Sequence, residues 1–360
     1  MLFDIGPKER RSDLFDRKKE LSEMSEAVAR GERLIVVYGI RRIGKTSLLR
    51  SFLADNEFLS VFLDIRKIYY MHRKAIPAGV VYERLLAGFT ELLNNLGVSP
   101  EDQIQILSAS QSFDITDLLS SIDKWCSKRG ARFLFVLDEA QYLRSSRKVV
   151  YDGVIAWSID NLKNITFILS GSEVGVLKDM LNYEDIKAPL YGRLKNEIVL
   201  RRLNPEESKG FLERGFKEAG QPIKGEEIRD VIEKIGGMIG WLVYYGYYRT
   251  VKRMGHETAV SEVFKEGSKI SMSEVEEAVK GSKKRYTAIL IAVAKGIATW
   301  GDIKAYVVIK TGDITDGVFD KLLSSLIKFS IVEKNERGQY GIVDPVLRNY
   351  LAERNEKGKL

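Results

Sequence analysis

The rhythm of hydrophobic and polar positions changes twice along the chain. Through about the first two hundred residues, short apolar runs alternate with segments whose apolar residues recur every three or four positions. The runs, "RLIVVYG", "FLSVFLD", "RFLFVLDE", "ITFILSG" and "NEIVL", are rich in Val, Ile, Leu and Phe and scarcely alternate, which predicts strands buried on both faces. The intervening "KTSLLRSFLAD", "AGVVYERLLAGFTELLNNLG" and "DITDLLSSIDKWCSKRG" predict helices. Strand and helix in alternation imply an α/β core with a parallel sheet over residues 1–202. The polar "VSPEDQIQILSASQS" reads as a surface loop within it.

From 203 to 281 the pattern is helical only. "NPEES" predicts a helix start, with Asn204 as N-cap, Pro205 at the first helical position and Glu207 closing a capping box. Tyr244, Tyr245, Tyr247 and Tyr248 read as one packed helix face rather than a stacking platform. Residues 282–360 show a third pattern, three helices followed by the strands "IVEK" and "QYGIVD" around the turn "NERG", which is the order of a winged helix.

Composition narrows the chemistry. A length of 360 residues suits two or three domains. The single cysteine, Cys126, excludes an internal disulfide and reads as packing within a helix. The two histidines, His72 and His256, sit in polar surroundings and read as surface residues, so Cys/His metal centres and His-activated nucleophiles are excluded. Catalysis must therefore run on carboxylates, Lys, Arg and Mg²⁺. The net charge of +7 is spread widely and permits nucleic-acid contact without arguing for it. No apolar run approaches the roughly 18 residues of a membrane span, and the start "MLFDIGPKERRSDLF" is charged where a signal peptide needs an apolar block. The expectation is a cytoplasmic protein with no membrane partner.

Against that background one stretch stands out. "VVYGIRRIGKTSLLR" fits the G-x-x-x-x-G-K-[ST] pattern of a phosphate-binding loop, entered from a predicted strand and leaving into a predicted helix. Backbone N–H groups from Ile40 through Arg41, Arg42, Ile43 and Gly44 to Lys45 can form an anion nest at the positive end of that helix. Gly39 and Gly44 allow close approach to phosphate, Lys45 neutralises the β and γ phosphates, and Thr46, followed by Ser47, holds Mg²⁺. For Arg41 and Arg42, phosphate contact, subunit contact and simple solvation all fit.

"RFLFVLDEAQYL" ends an apolar strand on Asp138 and Glu139. Asp138 suits the Mg²⁺ shell and Glu139 can orient and deprotonate a water, although paired acids there also suit a helix N-cap. "FLSVFLD" falls between the loop and this acidic pair, which places the acidic strand away from the loop strand. The guanine-reading NKxD signature is missing, so the base is expected to be adenine. Ser170 of "ILSGSE" reads either as a polar sensor facing the γ-phosphate or as a strand-terminating serine. Arg193, a few residues before the fifth strand, reads as an arginine finger acting in its own site or a neighbour's, or as a surface arginine.

Taken together, "LFDRKKELSEM", "YGIRRIGKTSLL", "FLDIR", "FVLDEAQYL", "ILSGSEVGVL", "LYGRLKNEIVLRRLNPEES" and "IGGMIGWL" resemble the predominantly archaeal ATPase family of AAA+/STAND-type P-loop proteins over nearly the whole chain. The resemblance implies an AAA-like core binding ATP or ADP with Mg²⁺, a helical lid and a C-terminal winged helix, with Phe15, Asp16 and Arg17 bordering the adenine. The family places Pro at the fourth position of "GGxPGWL"; this chain has Ile239, so lid contact with the nucleotide does not carry over from the resemblance.

Two functions follow. One is a slow ATPase acting as a switch, with double-stranded DNA bound through residues 282–360. The other is a nucleotide-dependent module that contacts a protein partner or itself, with little turnover. Residues 281–360 hold 14 Lys and Arg against 9 Asp and Glu, yet Asp313, Asp316 and Asp320 surround the recognition helix, opposed there only by Lys321 and Lys328.

Overall fold

The computed structural model describes residues 1–56, 58–107, 114–279 and 281–354. Its core begins with α1 (Lys18–Ala29), β1 (Leu34–Tyr38), α2 (Lys45–Asp55), β2 (Leu59–Asp64), α3 (Ile65–Met71) and α4 (Val80–Asn95). It continues with α5 (Pro100–Leu107), α6 (Ile115–Arg129), β3 (Phe133–Asp138), α7 (Tyr151–Asn161), β4 (Ile165–Gly171), α8 (Val174–Leu181) and β5 (Asn196–Val199). The five strands are parallel in the order β2-β3-β4-β1-β5. The expected separation of the acidic strand from the loop strand is present, and β4 is the strand that lies between them.

Burial follows position in the sheet. β1, β3 and β4 are buried along their whole length, whereas the edge strands β2 and β5 alternate. Cys126 is buried as expected, and burial pushes its thiol up to about 12. The predicted loop at 98–112 is corrected in its first half: residues Pro100–Leu107 form α5, begun by Ser99, whose hydroxyl accepts from the Asp102 N–H at 3.1 Å. Residues 108–112 of that stretch lie outside the described residues.

The helical region comprises α9 (Pro205–Glu218), α10 (Gly225–Ile235), α11 (Ile239–Thr250) and α12 (His256–Ala278). α9 starts with the expected capping box: Glu207 N–H donates to the Asn204 side chain at 2.9 Å, and Asn204 N–H to the Glu207 carboxylate at 2.7 Å. Its apolar cluster, built around Phe211, Phe216, Trp241 and Tyr245, takes in Leu2 and Phe3 from the chain's start. The N-terminal segment thus straps the core to the lid. His256 is not a surface residue: it lies half-buried between the Tyr245 hydroxyl and the Asp230 carboxylate, each at 2.9 Å.

The winged helix follows with α13 (Lys283–Ala294), α14 (Trp300–Thr311), α15 (Asp316–Lys328), and the antiparallel pair β6 (Val332–Lys334) and β7 (Tyr340–Ile342). A last helix, α16 (Pro345–Arg354), was not foreseen. Its start is capped by Asp344, which accepts from Val346 N–H at 2.9 Å, and Val346 is buried in the lid's cluster. No described helix is long and apolar enough to cross a membrane.

Candidate nucleotide site

Every group singled out for phosphate chemistry except Arg193 collects at the carboxyl ends of the strands, the edge where open α/β sheets bind ligands. The loop from Gly39 to Gly44 leaves β1 there, and Gly44, with φ +98°, turns it into α2. The Lys45 ammonium donates back to the carbonyls of Gly39 at 2.8 Å and Ile40 at 3.1 Å. Burial drives its pKa down, while the Glu139 and Asp138 carboxylates push the other way. Thr46 hydroxyl donates to Asp138 at 2.7 Å, so a hydroxyl and a carboxylate oxygen stand side by side, donors suited to a hard divalent cation. Ser47 spends its hydroxyl differently, accepting from Lys8 N–H at 3.0 Å and fastening the N-terminal segment to α2.

Asp138 ends β3 fully buried; burial and the neighbouring Glu139 charge raise its pKa against the hydrogen bonds from Ser170 and Thr46. Glu139 follows with φ +55°, a left-handed conformation that is strained for a residue with a Cβ. Its carboxylate accepts from Ser172 hydroxyl at 2.6 Å, Ser172 N–H at 3.1 Å and Gln141 amide at 2.7 Å. Burial opposes its ionisation, but Lys45, Arg66 and these donors win and hold it at about 2. Ser170 is wholly buried and is not directed into the cavity: it donates to Asp138 and accepts from Glu139 N–H at 3.3 Å. In this structure it positions the two acids.

A cavity of about 400 Å³ opens above the loop. Its apolar end is formed by Leu14, Phe15, Phe211, Val243 and Tyr244, with Phe15 edge-on to Phe211 at 5.4 Å. Its charged end is formed by the loop, Lys45, Thr46, Arg66 and Glu139. That volume and polarity suit a nucleotide, flat and apolar at one end and polyanionic at the other. Of the three residues expected beside the base, Phe15 and Arg17 line the cavity, whereas Asp16 is exposed away from it. Arg17 is a buried clamp whose guanidinium donates to Arg201 carbonyl at 2.8 Å and pairs with Glu20 at 3.2 Å.

For Arg41 and Arg42 the structure supplies an answer outside the expected three. Arg41 pairs with Glu173, just beyond β4, at 2.8 Å and with Glu274 of α12 at 3.2 Å. Arg42 grips Glu274 with two nitrogens at 2.8 and 3.0 Å, lies 4.4 Å over the Trp241 ring, and stands 3.8 Å from Asp344 at the end of the winged-helix hairpin. Asp344 in turn accepts from Trp241 indole N–H at 2.9 Å and Ser271 hydroxyl at 2.7 Å. Gly240 closes the contact: its N–H donates to Arg42 carbonyl at 2.9 Å, and a Cβ there would meet Arg42 Cβ at 2.6 Å. Ile239, the departure from the family pattern, starts α11 and lines the cavity beside Gly44.

Arg193 is placed elsewhere. It precedes Asn196, whose partner in β1 is Ile35, so it lies at the opposite, amino-terminal edge of the sheet, with its guanidinium on Asp160 at 3.0 Å through Nε. In this arrangement it does not reach the site of its own chain. Four groups of the site were not singled out in the sequence: Gln141, Ser172, Glu173 and Arg66. The first three sit in "DEAQ" and "SGSE", next to residues that were, and short polar side chains following two acid-bearing or polar strand ends were the available signal.

A family described as an ATPase domain predominantly from Archaea matches residues 14–244, and the winged helix-turn-helix domain found at the C-terminus of MCM proteins matches residues 280–343. Among solved structures, the Walker-type ATPase of Pyrococcus abyssi is 31% identical, with 98% of this chain and 99% of that one covered and a TM-score of 0.88. The ORC2 protein of Aeropyrum pernix, solved with ADPNP and ADP, shares the fold at 17% identity and a TM-score of 0.63, with 99% and 98% covered. No protein of curated function matches the chain. The phosphate loop, the paired acids and these matches agree, and the chain belongs to the predominantly archaeal ATPase family of P-loop proteins.

Proposed function

We propose that the protein binds ATP with Mg²⁺ in this cavity, hydrolyses it slowly, and passes the state of the site to its lid and winged helix. The observation that carries the switch reading is the double use of one loop: Lys45 and Thr46 face the cavity, and Arg41 and Arg42, which also line it, hold Glu274 of the lid, with Arg42 approaching Asp344 of the winged helix. A change in loop conformation on nucleotide binding alters both contacts at once, which is the differential interaction a population switch requires.

The roles follow from placement. Phe15 and its apolar neighbours take the adenine, and Lys45 with the loop N–H groups takes the phosphates. Thr46 and Asp138 would hold Mg²⁺, which supplies charge neutralisation when bound. Glu139 orients the attacking water, and Ser170, Ser172 and Gln141 fix the two acids in place. That a P. abyssi relative is named a Walker-type ATPase, and that ORC2 of A. pernix was solved with ADPNP and ADP, supports the nucleotide reading.

The winged helix supports contact with protein more than with DNA. On α15, Asp316 pairs with Lys304, Asp320 lies near Trp300 indole N–H at 3.4 Å, and Lys328 is tied to Asp179 of the core at 2.7 Å. Of the two lysines that α15 would offer a duplex, Lys328 is engaged by the core, and the acids would repel its phosphates. The test is phosphate release by the native chain and Glu139→Gln, with and without duplex DNA at two salt concentrations. Turnover that needs Glu139 and ignores DNA is the expected result. Undiminished turnover in Glu139→Gln overturns the catalytic assignment, and salt-sensitive stimulation by DNA overturns the preference for protein contact.

A further inference from the structure

Four arginines line the nucleotide cavity, and three of them are occupied. Arg17 clamps the loop to the exit of β5, and Arg41 and Arg42 bind carboxylates of the core edge and lid. Arg66 alone among these four makes no hydrogen bond or ion pair with any described residue.

Its placement is dictated by the sheet. β2 pairs in register with β3 so that Asp64 lies beside Asp138. Asp64 then caps α3, accepting from Lys67 N–H at 2.9 Å, and the turn it fixes sends Arg66 into the cavity beside Glu139 and Lys45. This half-buried guanidinium faces a phosphate-sized space with its N–H groups uncommitted to any carboxylate at contact distance, and its planar fork matches phosphate oxygens better than a lysine does. Burial would pull its pKa down, but Glu139 and Asp64 outweigh it, so the charge persists. The same charge helps hold Glu139 ionised.

We propose that Arg66 is a catalytic arginine supplied by the same chain, binding oxygens of the terminal phosphate of ATP and stabilising the charge that develops as it is transferred to water. This rests on the ATPase reading above. In the step, a water oxygen bonds to the terminal phosphorus as the bond from phosphorus to the ADP oxygen breaks. The electron pair of that bond stays with ADP, and a water proton passes to Glu139 and on to solvent.

The experiment measures ADP and ATP affinity and single-turnover hydrolysis, on the full chain, for the native protein, Arg66→Ala, Arg66→Lys and Arg193→Ala, at several protein concentrations. For Arg66→Ala, ADP affinity stays within about threefold, which also certifies the fold. ATP binding weakens about tenfold or more, and the rate at saturating ATP falls on the order of 100- to 1000-fold. Arg66→Lys restores ATP binding in part but not the rate, and Arg193→Ala changes neither. Equal loss of ADP and ATP in Arg66→Ala, or hydrolysis within threefold of native, overturns the proposal. So does a rate that climbs with protein concentration and collapses in Arg193→Ala, which assigns the arginine to a neighbouring copy. If the native chain binds nucleotide without turning it over, the hydrolysis reading fails and the catalytic role of Arg66 falls with it. An unchanged ATP-to-ADP preference in Arg66→Ala removes the arginine alone and leaves nucleotide binding standing.

Discussion

The cavity above the phosphate loop and the outer face of the winged helix both carry charge, but they use it in opposite ways. At the loop, Lys45, Asp138 and Glu139 are buried, and each is held by hydrogen bonds or opposing charges close by. On α15, Asp316, Asp320, Lys321 and Lys328 are exposed, and those that pair do so across the surface, Lys328 with the core itself. Burial makes the first set strong and directional, whereas solvent makes the second weak and replaceable. The contrast teaches that the groups suited to phosphate chemistry lie in the core, and that the winged helix is built here as something the core holds. Its attachment is distributed: Val174 N–H donates to Ser330 hydroxyl at 3.1 Å, and Arg202 donates to Val343 carbonyl at 2.6 Å and to Glu333 at 3.2 Å.

The largest effect expected is at the buried end of this comparison. Lys45→Ala removes the ammonium that faces the phosphates and leaves Glu139 without its main opposing charge. ATP and ADP affinity should fall by about 100-fold or more, measured by calorimetry, while the winged helix stays docked. Nucleotide affinity within threefold of native would mean that the loop does not bind phosphate.

Next is the joint between the two regions. Asp344→Ala strips the acceptor from Trp241 indole and Ser271 hydroxyl, removes a carboxylate near Arg42, and uncaps α16. A loss of about 3–4 kcal/mol is expected in denaturant unfolding, with proteolysis near residue 281 rising before the core unfolds. If stability falls while the link stays protected, Asp344 serves packing within the lid rather than docking.

How much of this could be read in advance follows from the range of the forces involved. The strands were legible because each apolar run is a local pattern, and the capping box at Asn204 because all its parts lie within four residues. The loop and acids were legible because phosphate chemistry demands particular side chains at short spacing. Asp344 was not, because beyond the local cap on Val346 N–H its partners come from residues 42, 241 and 271, and nothing local marks a carboxylate as a hub. Arg66 lies within "FLDIR", where nothing local marks a role, since its value depends on the register that sets β2 against β3. The helix at Pro100–Leu107 was hidden by polar residues that its exposed face tolerates.

Acid dependence sharpens the burial argument. Glu139 is held at about 2, below its ordinary value. A depressed carboxylate contributes stability that is present above its unfolded pKa, about 4.3, and lost as pH falls through its folded one. The native chain should therefore exceed Glu139→Gln in stability by on the order of 2–3 kcal/mol near neutral pH, with the gap closing between roughly pH 4.5 and pH 2. Asp138, whose pKa burial and the neighbouring Glu139 charge raise, has the opposite sign. A gap independent of pH would mean that Glu139 is not ionised by its surroundings.

The smallest effect lies at the exposed end. Lys328 and Asp179 stand 2.7 Å apart with both side chains about half exposed, so the pair is open to water and salt. Lys328→Ala should cost no more than about 1 kcal/mol and should leave phosphate release unchanged. Its value is in the comparison: Lys328 is one of two lysines on the would-be recognition helix, and a duplex bound there loses a phosphate contact when it is removed. If DNA binding is present and its salt dependence becomes shallower by about one ion in Lys328→Ala, the winged helix leaves the core to read DNA. If DNA binding is absent in both proteins, and Asp179→Ala reproduces the small loss of stability, the lysine serves the contact that the structure shows.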